Sequence, residues 1–158
     1  MQDLIMSESL GFRSSTARGG WLVDESQFRF LVDFELQKAQ RLRYSVAVVC
    51  LTASAGSPDS GDVSLASLAE ALTRHIRGTD VVAAWTRGLL TLLLIDAEAT
   101  HLPAIVDRFK VPLEKVAWSA GGSCYPRTAT RAEDMLRQAA ALLARAQEEG
   151  GNRLYVAS

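Results

Sequence analysis

The chain has 158 residues, of which 48% are apolar and 22% charged, with a formal net charge of −1. One domain with a full hydrophobic core fits that length and composition. The balanced charge gives no long-range field for nucleic acid or anionic membrane, so neither is expected as a partner. No apolar run is long enough to span a bilayer, and residues 1–10 hold acidic Asp3 and Glu8 with no basic run before an apolar stretch. The expected location is therefore the cytoplasm. Cys50 and Cys124 lie in apolar, strand-like stretches and have no metal-ligand spacing; two cysteines allow one disulfide but make no framework.

Residues 1–19 end in a Ser, Thr and Gly cluster and read as a tail or linker, with the folded domain over 20–158. Residues 24–43 place Phe28, Leu31, Val32, Leu36 and Ala39 at helical spacing. Residues 44–52 are β-branched and apolar without alternation, as in a strand covered on both faces. Gly56, Pro58 and Gly61 break residues 53–62 into a loop, and residues 63–77 regain helical period behind a Ser64 cap. Residues 80–85 and 89–95 read as two strands joined by Thr86-Arg87-Gly88. Residues 97–109 read as a helix with Pro103 inside it. Residues 116–125 form a strand whose Gly121-Gly122 marks a bulge or a close backbone approach. Residues 132–149 are an alanine-rich helix stopped by Gly150-Gly151, and residues 152–157 a last short strand.

The order α-β-α-β-β-α-β-α-β predicts one α/β (α+β) domain. Its central five-stranded sheet is mixed and mostly antiparallel, with helices on its faces. Chemistry-bearing residues are sparse, with one exception. Arg77 and Asp80 stand three positions apart where a helix gives way to a strand, and Arg108 follows on the helix after the hairpin. A planar guanidinium stacks on guanine and donates to O6 and N7; a carboxylate accepts from the ring N–H and the amino group. The trio therefore suits a guanine nucleotide. Singly, each has a plainer role: a cation at a helix C-terminus, a turn carboxylate and a solvated helix face. Arg74 and His75 form a basic fringe or a solvated face. Leu89 and Leu90 are an exposed partner patch or an extension of a strand into the core.

Several blocks in order resemble the GGDEF domain of diguanylate cyclases over residues 20–156: Gly61-Asp62-x-x-Leu65, Arg77-Gly78-Thr79-Asp80, Ser119-Ala120-Gly121 with Tyr125-Pro126 behind it, Met135-Leu136-Arg137-Gln138-Ala139 and Gly151-Asn152-Arg153. The chain departs from the family at the catalytic positions. The signature pentapeptide would fall on Thr86-Arg87-Gly88-Leu89-Leu90, and the metal-binding aspartate on Cys50. Residues 53–60 replace the segment that reads guanine, and Gln147 stands for a phosphate-binding lysine. Two-metal phosphoryl chemistry needs carboxylates to hold Mg²⁺. The resemblance thus implies a degenerate, inactive diguanylate cyclase with no catalytic residue, no metal site and no cofactor.

The family's inhibitory site for cyclic di-GMP is an R-x-x-D motif five residues before the signature; here Asp80 precedes Thr86 by residues 81–85, and Arg108 falls at the family's helix arginine. By resemblance, Arg77, Asp80 and Arg108 are the ligand-binding residues. Lys38 and Arg41 are candidate donors to a neighbouring domain's ligand. The expected function is a cyclic di-GMP receptor that signals to a protein partner or through a homodimer. The alternative is a ligand-independent pseudoenzyme that serves as a protein-interaction module.

Overall fold

The computed structural model describes residues 13–14, 19–55, 65–85 and 88–158. The first helix, α1 (Glu25–Leu42), starts where Asp24 accepts from the Gln27 amide at 2.8 Å and Gln27 returns a bond to the Asp24 N–H at 3.0 Å. This reciprocal cap satisfies two donors that a helix start would otherwise leave unpaired. Phe28, Val32, Leu36 and Ala39 form its buried stripe. Arg43, in left-handed conformation at φ 60°, closes the helix by donating to the Ala39 carbonyl.

The strands are β1 (Arg13–Ser14), β2 (Trp21–Val23), β3 (Val46–Ala55), β4 (Val81–Ala84), β5 (Leu89–Ile95), β6 (Val116–Tyr125) and β7 (Leu154–Val156). They form one sheet in the order β1-β2-β4-β5-β3-β6-β7. Four neighbouring pairs are antiparallel, and two, β2 with β4 and β6 with β7, are parallel. The sheet is mixed and mostly antiparallel, as the sequence predicts. The expected count of five is corrected: among the described residues there are seven strands, or six without the two-residue β1. The additions lie on one edge, where Trp21–Val23 is too short to show a period. Gly20 lets the chain pass there, since a Cβ would meet Ile76 Cγ1 at 2.6 Å and the Asp80 carbonyl at 2.7 Å.

The other helices are α2 (Leu65–Thr73), α3 (Leu102–Asp107), α4 (Lys110–Leu113) and α5 (Ala132–Glu148). Leu68, Leu72, Leu102, Val106, Phe109 and Leu113 place α2, α3 and α4 on one face with Val49, Leu51 and Leu92. Phe28, Val32, Met135, Ala139 and Leu143 place α1 and α5 on the other, with Val48, Cys50 and Leu93. Cys50 and Cys124 belong to opposite faces, so they do not pair.

Three local expectations change. The 97–109 helix is a 3₁₀ turn (Ala99–His101) followed by α3 and α4, with Pro103 in the first turn of α3, where a missing N–H costs nothing. Gly121-Gly122 is not a bulge, because the β3–β6 register runs unbroken through both. Instead α5 lies so close that a Cβ on Gly121 would overlap the Ala139 carbonyl and the Leu143 amide. Leu90 is buried and Leu89 half-buried, so the pair extends β5 into the core. The Ser64 cap and the Thr86-Arg87 turn lie outside the described residues.

Candidate ligand-binding site

Helix α2 stops at Thr73, which places Arg77 beyond its end in a turn. The Asp80 amide donates to the Arg77 carbonyl at 2.9 Å and closes that turn. The Asp80 side chain then faces inward. Its Oδ2 accepts from the Arg77 backbone N–H at 3.0 Å and lies 3.5 Å from Arg77 Nε, and its Oδ1 accepts from the Ile95 N–H at 2.9 Å. Asp80 is 3% exposed. The carboxylate thus ties the turn to the last residue of β5, reached through the β4–β5 hairpin.

The same turn holds β2. The Asp80 carbonyl accepts from the Trp21 N–H at 2.9 Å, and the Gly78 carbonyl from the Trp21 indole at 3.0 Å. Arg77 Nη2 donates to the Ile95 carbonyl, yet the side chain stays 52% exposed. The result is a guanidinium held at one edge by a buried brace, with the remainder in solvent.

Arg108 is exposed at the C-cap of α3, its N–H donating to Ile105 and Val106 carbonyls. No hydrogen bond or ion pair links its side chain to Arg77, Asp80 or any other described residue. The structure therefore bonds Arg77 to Asp80 and shows no such bond from Arg108 to either. Arg74 is exposed and His75 half-buried beside them. Lys38 and Arg41 belong to α1, on the opposite face, and Lys38 pairs with Glu35 at 2.8 Å.

At the other end of the sheet, the last turns of β3, the start of β6 and the end of α5 enclose an open cleft of about 510 Å³. Thr52, Ser54, Ser119, Gln147 and Asn152 line it with hydroxyl and amide groups; Gly88 and Trp118 complete the rim. Gln147 Nε2 donates to Thr52 Oγ1 at 3.1 Å, joining α5 to β3. The described lining carries no charged side chain. Cys50 lies on the same strand, buried against the α1–α5 face, and burial pushes its thiol up to about 12. Among the described residues, no cluster of three or more His, Cys, Asp or Glu could hold a metal. No described helix is long and apolar enough to cross a membrane.

Sequence reasoning singled out Gln147 but not Ser119, Asn152 or Thr52 as cleft residues. Only the pairing of Thr52 with Ser119 across β3 and β6 brings those hydroxyls together.

The fold has many solved counterparts. The diguanylate cyclase SiaD from Pseudomonas aeruginosa, solved with its activator SiaC, superposes with a TM-score of 0.80 at 19% identity, over 99% of this chain and 66% of that one. The GGDEF domain of YfiN (TpbB) from Pseudomonas aeruginosa gives 0.78 at 18% identity, over 87% and 91%. The coiled coil and GGDEF domain of DgcB from Caulobacter crescentus, solved with c-di-GMP, gives 0.72 at 14% identity, over 86% and 82%. No curated protein matches the sequence. At these identities the superpositions establish the fold, and the sequence itself establishes the family: the model for the diguanylate cyclase GGDEF domain matches residues 32–153, so this chain belongs to the GGDEF family.

Proposed function

We propose that this GGDEF domain is non-catalytic and reads cyclic di-GMP at the arginine turn, passing occupancy to a protein partner or to its own association state. The reading rests on the contrast between the two ends of the sheet. At one end, Arg77 is braced and half-exposed; Arg108 is exposed on its own at the C-cap of α3, with no described partner. Two guanidiniums offer the donors that a guanine edge and a phosphate accept. At the other end, the described cleft lining is hydroxyl and amide. The family's chemistry implies Mg²⁺, a hard cation that wants carboxylate oxygens against triphosphate charge. A buried, protonated Cys50 and the neutral Gln147 do not fit it. DgcB, a relative in fold, was solved with the same dinucleotide.

In this reading Arg77 and Arg108 carry the contacts. Asp80 sets Arg77, and it grips a guanine edge only by giving up part of its brace. That commitment favours a second reading, in which the turn is purely structural and the chain is a ligand-independent interaction module.

Calorimetry with cyclic di-GMP separates the two. Receptor function predicts a dissociation constant of about 10 μM or tighter, weakened at least tenfold by Arg77→Ala and by Arg108→Ala, with no need for Mg²⁺. No heat from the wild type, or equal binding by both variants, favours the module. Incubation with GTP and Mg²⁺, read by chromatography, should yield no cyclic di-GMP; any turnover refutes the non-catalytic reading.

A further inference from the structure

Helix α1 carries an aromatic face turned away from the molecule. At 3.6 residues per turn, the buried Phe28, Val32, Leu36 and Ala39 lie on one side, and Phe30, Phe34, Gln37 and Arg41 on the other. All four of the latter are exposed, Phe30 by 66% and Phe34 by 48%. The two rings stack with 6.0 Å between centroids and 12° between planes. A single exposed apolar side chain is ordinary, but two stacked rings on the outermost face of a helix mark an interaction surface. Their alternating spacing of four and three residues is that of a seam between two helices.

The charges of α1 say what fits the seam. Arg29 pairs with Glu25 at 3.6 Å and lies 4.7 Å over the Trp85 ring; Lys38 pairs with Glu35 at 2.8 Å and lies 5.3 Å over the Phe34 ring. Asp33 and Arg41 are exposed and have no partner among the described residues. They stand eight positions apart on one helix, about 12 Å, too far to meet each other. A second α1 running antiparallel brings each Asp33 to the other's Arg41. Phe30 and Asp33 lie one turn apart, so the incoming guanidinium meets a ring face and a carboxylate together. A parallel pair would instead set Arg41 against Arg41 and Asp33 against Asp33. We infer that α1 is a self-association surface, on which a second copy of this chain docks antiparallel with Arg41 of each copy against Phe30 and Asp33 of the other. Such an interface is isologous and closes as a two-fold dimer. It is independent of the cyclic di-GMP reading: α1 packs on the sheet face opposite α2, which leads into the arginine turn, and no residue of that turn enters the seam. One helix face is smaller than a standard interface, so the dimer is weak and concentration-dependent.

Sedimentation velocity of the full chain without nucleotide tests it. Wild type should show a monomer–dimer equilibrium with a dissociation constant of roughly 10–100 μM. Phe30→Ser combined with Phe34→Ser should weaken it by at least about tenfold, since exposed rings support the contact and not the fold. Asp33→Arg and Arg41→Asp should each weaken it by about tenfold, because each sets like charges against one another. An equimolar mixture of those two variants should associate more tightly than either alone, because the mixed dimer has opposite charges at both contacts again. Far-UV circular dichroism checks that every variant keeps its helices. A wild type that stays monomeric throughout that range gives the aromatic face to some other occupant and overturns the inference. So does a dimer that the aromatic variant leaves intact, or a mixture no tighter than its components. A dimer that forms only with cyclic di-GMP would support the receptor reading and overturn this one, whereas a nucleotide-free dimer with no cyclic di-GMP binding would do the reverse.

Discussion

Replacing Asp80 with alanine should damage the fold far more than replacing Arg77, although the two form one ion pair. Asp80 is buried and accepts from two backbone N–H groups, those of Arg77 and Ile95. Alanine leaves both donors without an acceptor, and an unsatisfied buried donor costs about 1–3 kcal/mol. The sum is about 2–6 kcal/mol, a large share of the roughly 5–15 kcal/mol that holds a domain together. Arg77→Ala removes a guanidinium that is half in water. Its contact with Asp80, 3.5 Å and solvent-screened, is worth about 0–1 kcal/mol. Its bond to the Ile95 carbonyl adds roughly 1 kcal/mol at most.

For a domain of this size, 1 kcal/mol moves the melting temperature by about 2–4 °C. Asp80→Ala should therefore melt roughly 4–24 °C below wild type, and Arg77→Ala within about 8 °C of it and above Asp80→Ala. Thermal unfolding followed by far-UV circular dichroism reads both. Asp80→Asn, which keeps one carbonyl acceptor, should fall between them. Equal melting temperatures for Asp80→Ala and Arg77→Ala would show that the carboxylate is not the brace, and would return it to the ligand.

Gly121→Ala should fail to fold or lose at least about 3 kcal/mol, because its Cβ would overlap the backbone of α5 at Ala139 and Leu143, which cannot yield without moving the helix. Gly122→Ala should be milder, since its Cβ would meet the end of the Leu102 side chain at 2.6 Å, which can turn away; urea titration of both variants gives the ranking, and the reverse order would refute it. Burial raises the Cys50 thiol from an ordinary 9.0 to about 12 and the Cys124 thiol to about 11. In the unfolded chain both ionise first, so their contribution to stability is complete below about pH 9 and is lost as pH climbs through 11 and 12. Cys50→Ala should accordingly lose less stability than wild type between pH 9 and 11 in denaturant titrations, and parallel losses would refute the burial argument.

The sequence makes some of this legible for physical reasons. Residues 46–51 read as a strand because β3 pairs with β5 and β6 and is covered on both faces, so no polar alternation interrupts it. Its last three residues, Ala53, Ser54 and Ala55, read as loop. Small side chains have little strand preference of their own, and the pairing comes from Trp118, Ala117 and Val116 on β6. The Arg77–Asp80 spacing announces a turn, and a turn is found. The inward aim of the carboxylate depends on Ile95, fifteen residues away, which only the hairpin brings near. Arg108 reads as a helix residue, but α3 ends one position earlier, because Pro103 fixes its start and the chain re-forms as α4 at Lys110.

Register explains why one end of such a sheet can change while the other keeps its shape. Strand β5 carries Leu89 opposite Thr52 at the cleft and Ile95 opposite Val46 beside the arginine turn. At about 3.4 Å per residue the two ends stand roughly 20 Å apart. Between them lie Leu90, Leu92, Leu93 and Leu94, all buried and split between the two faces of the sheet. Thr52 and Gln147 shape the cleft without touching the bonds from Asp80 to Arg77 and Ile95. The brace belongs to the hairpin that also carries the core, so selection for stability preserves it with or without a ligand. Its presence alone therefore does not distinguish a receptor from a scaffold. The exposed guanidiniums of Arg77 and Arg108 can, because neither contributes much to the fold.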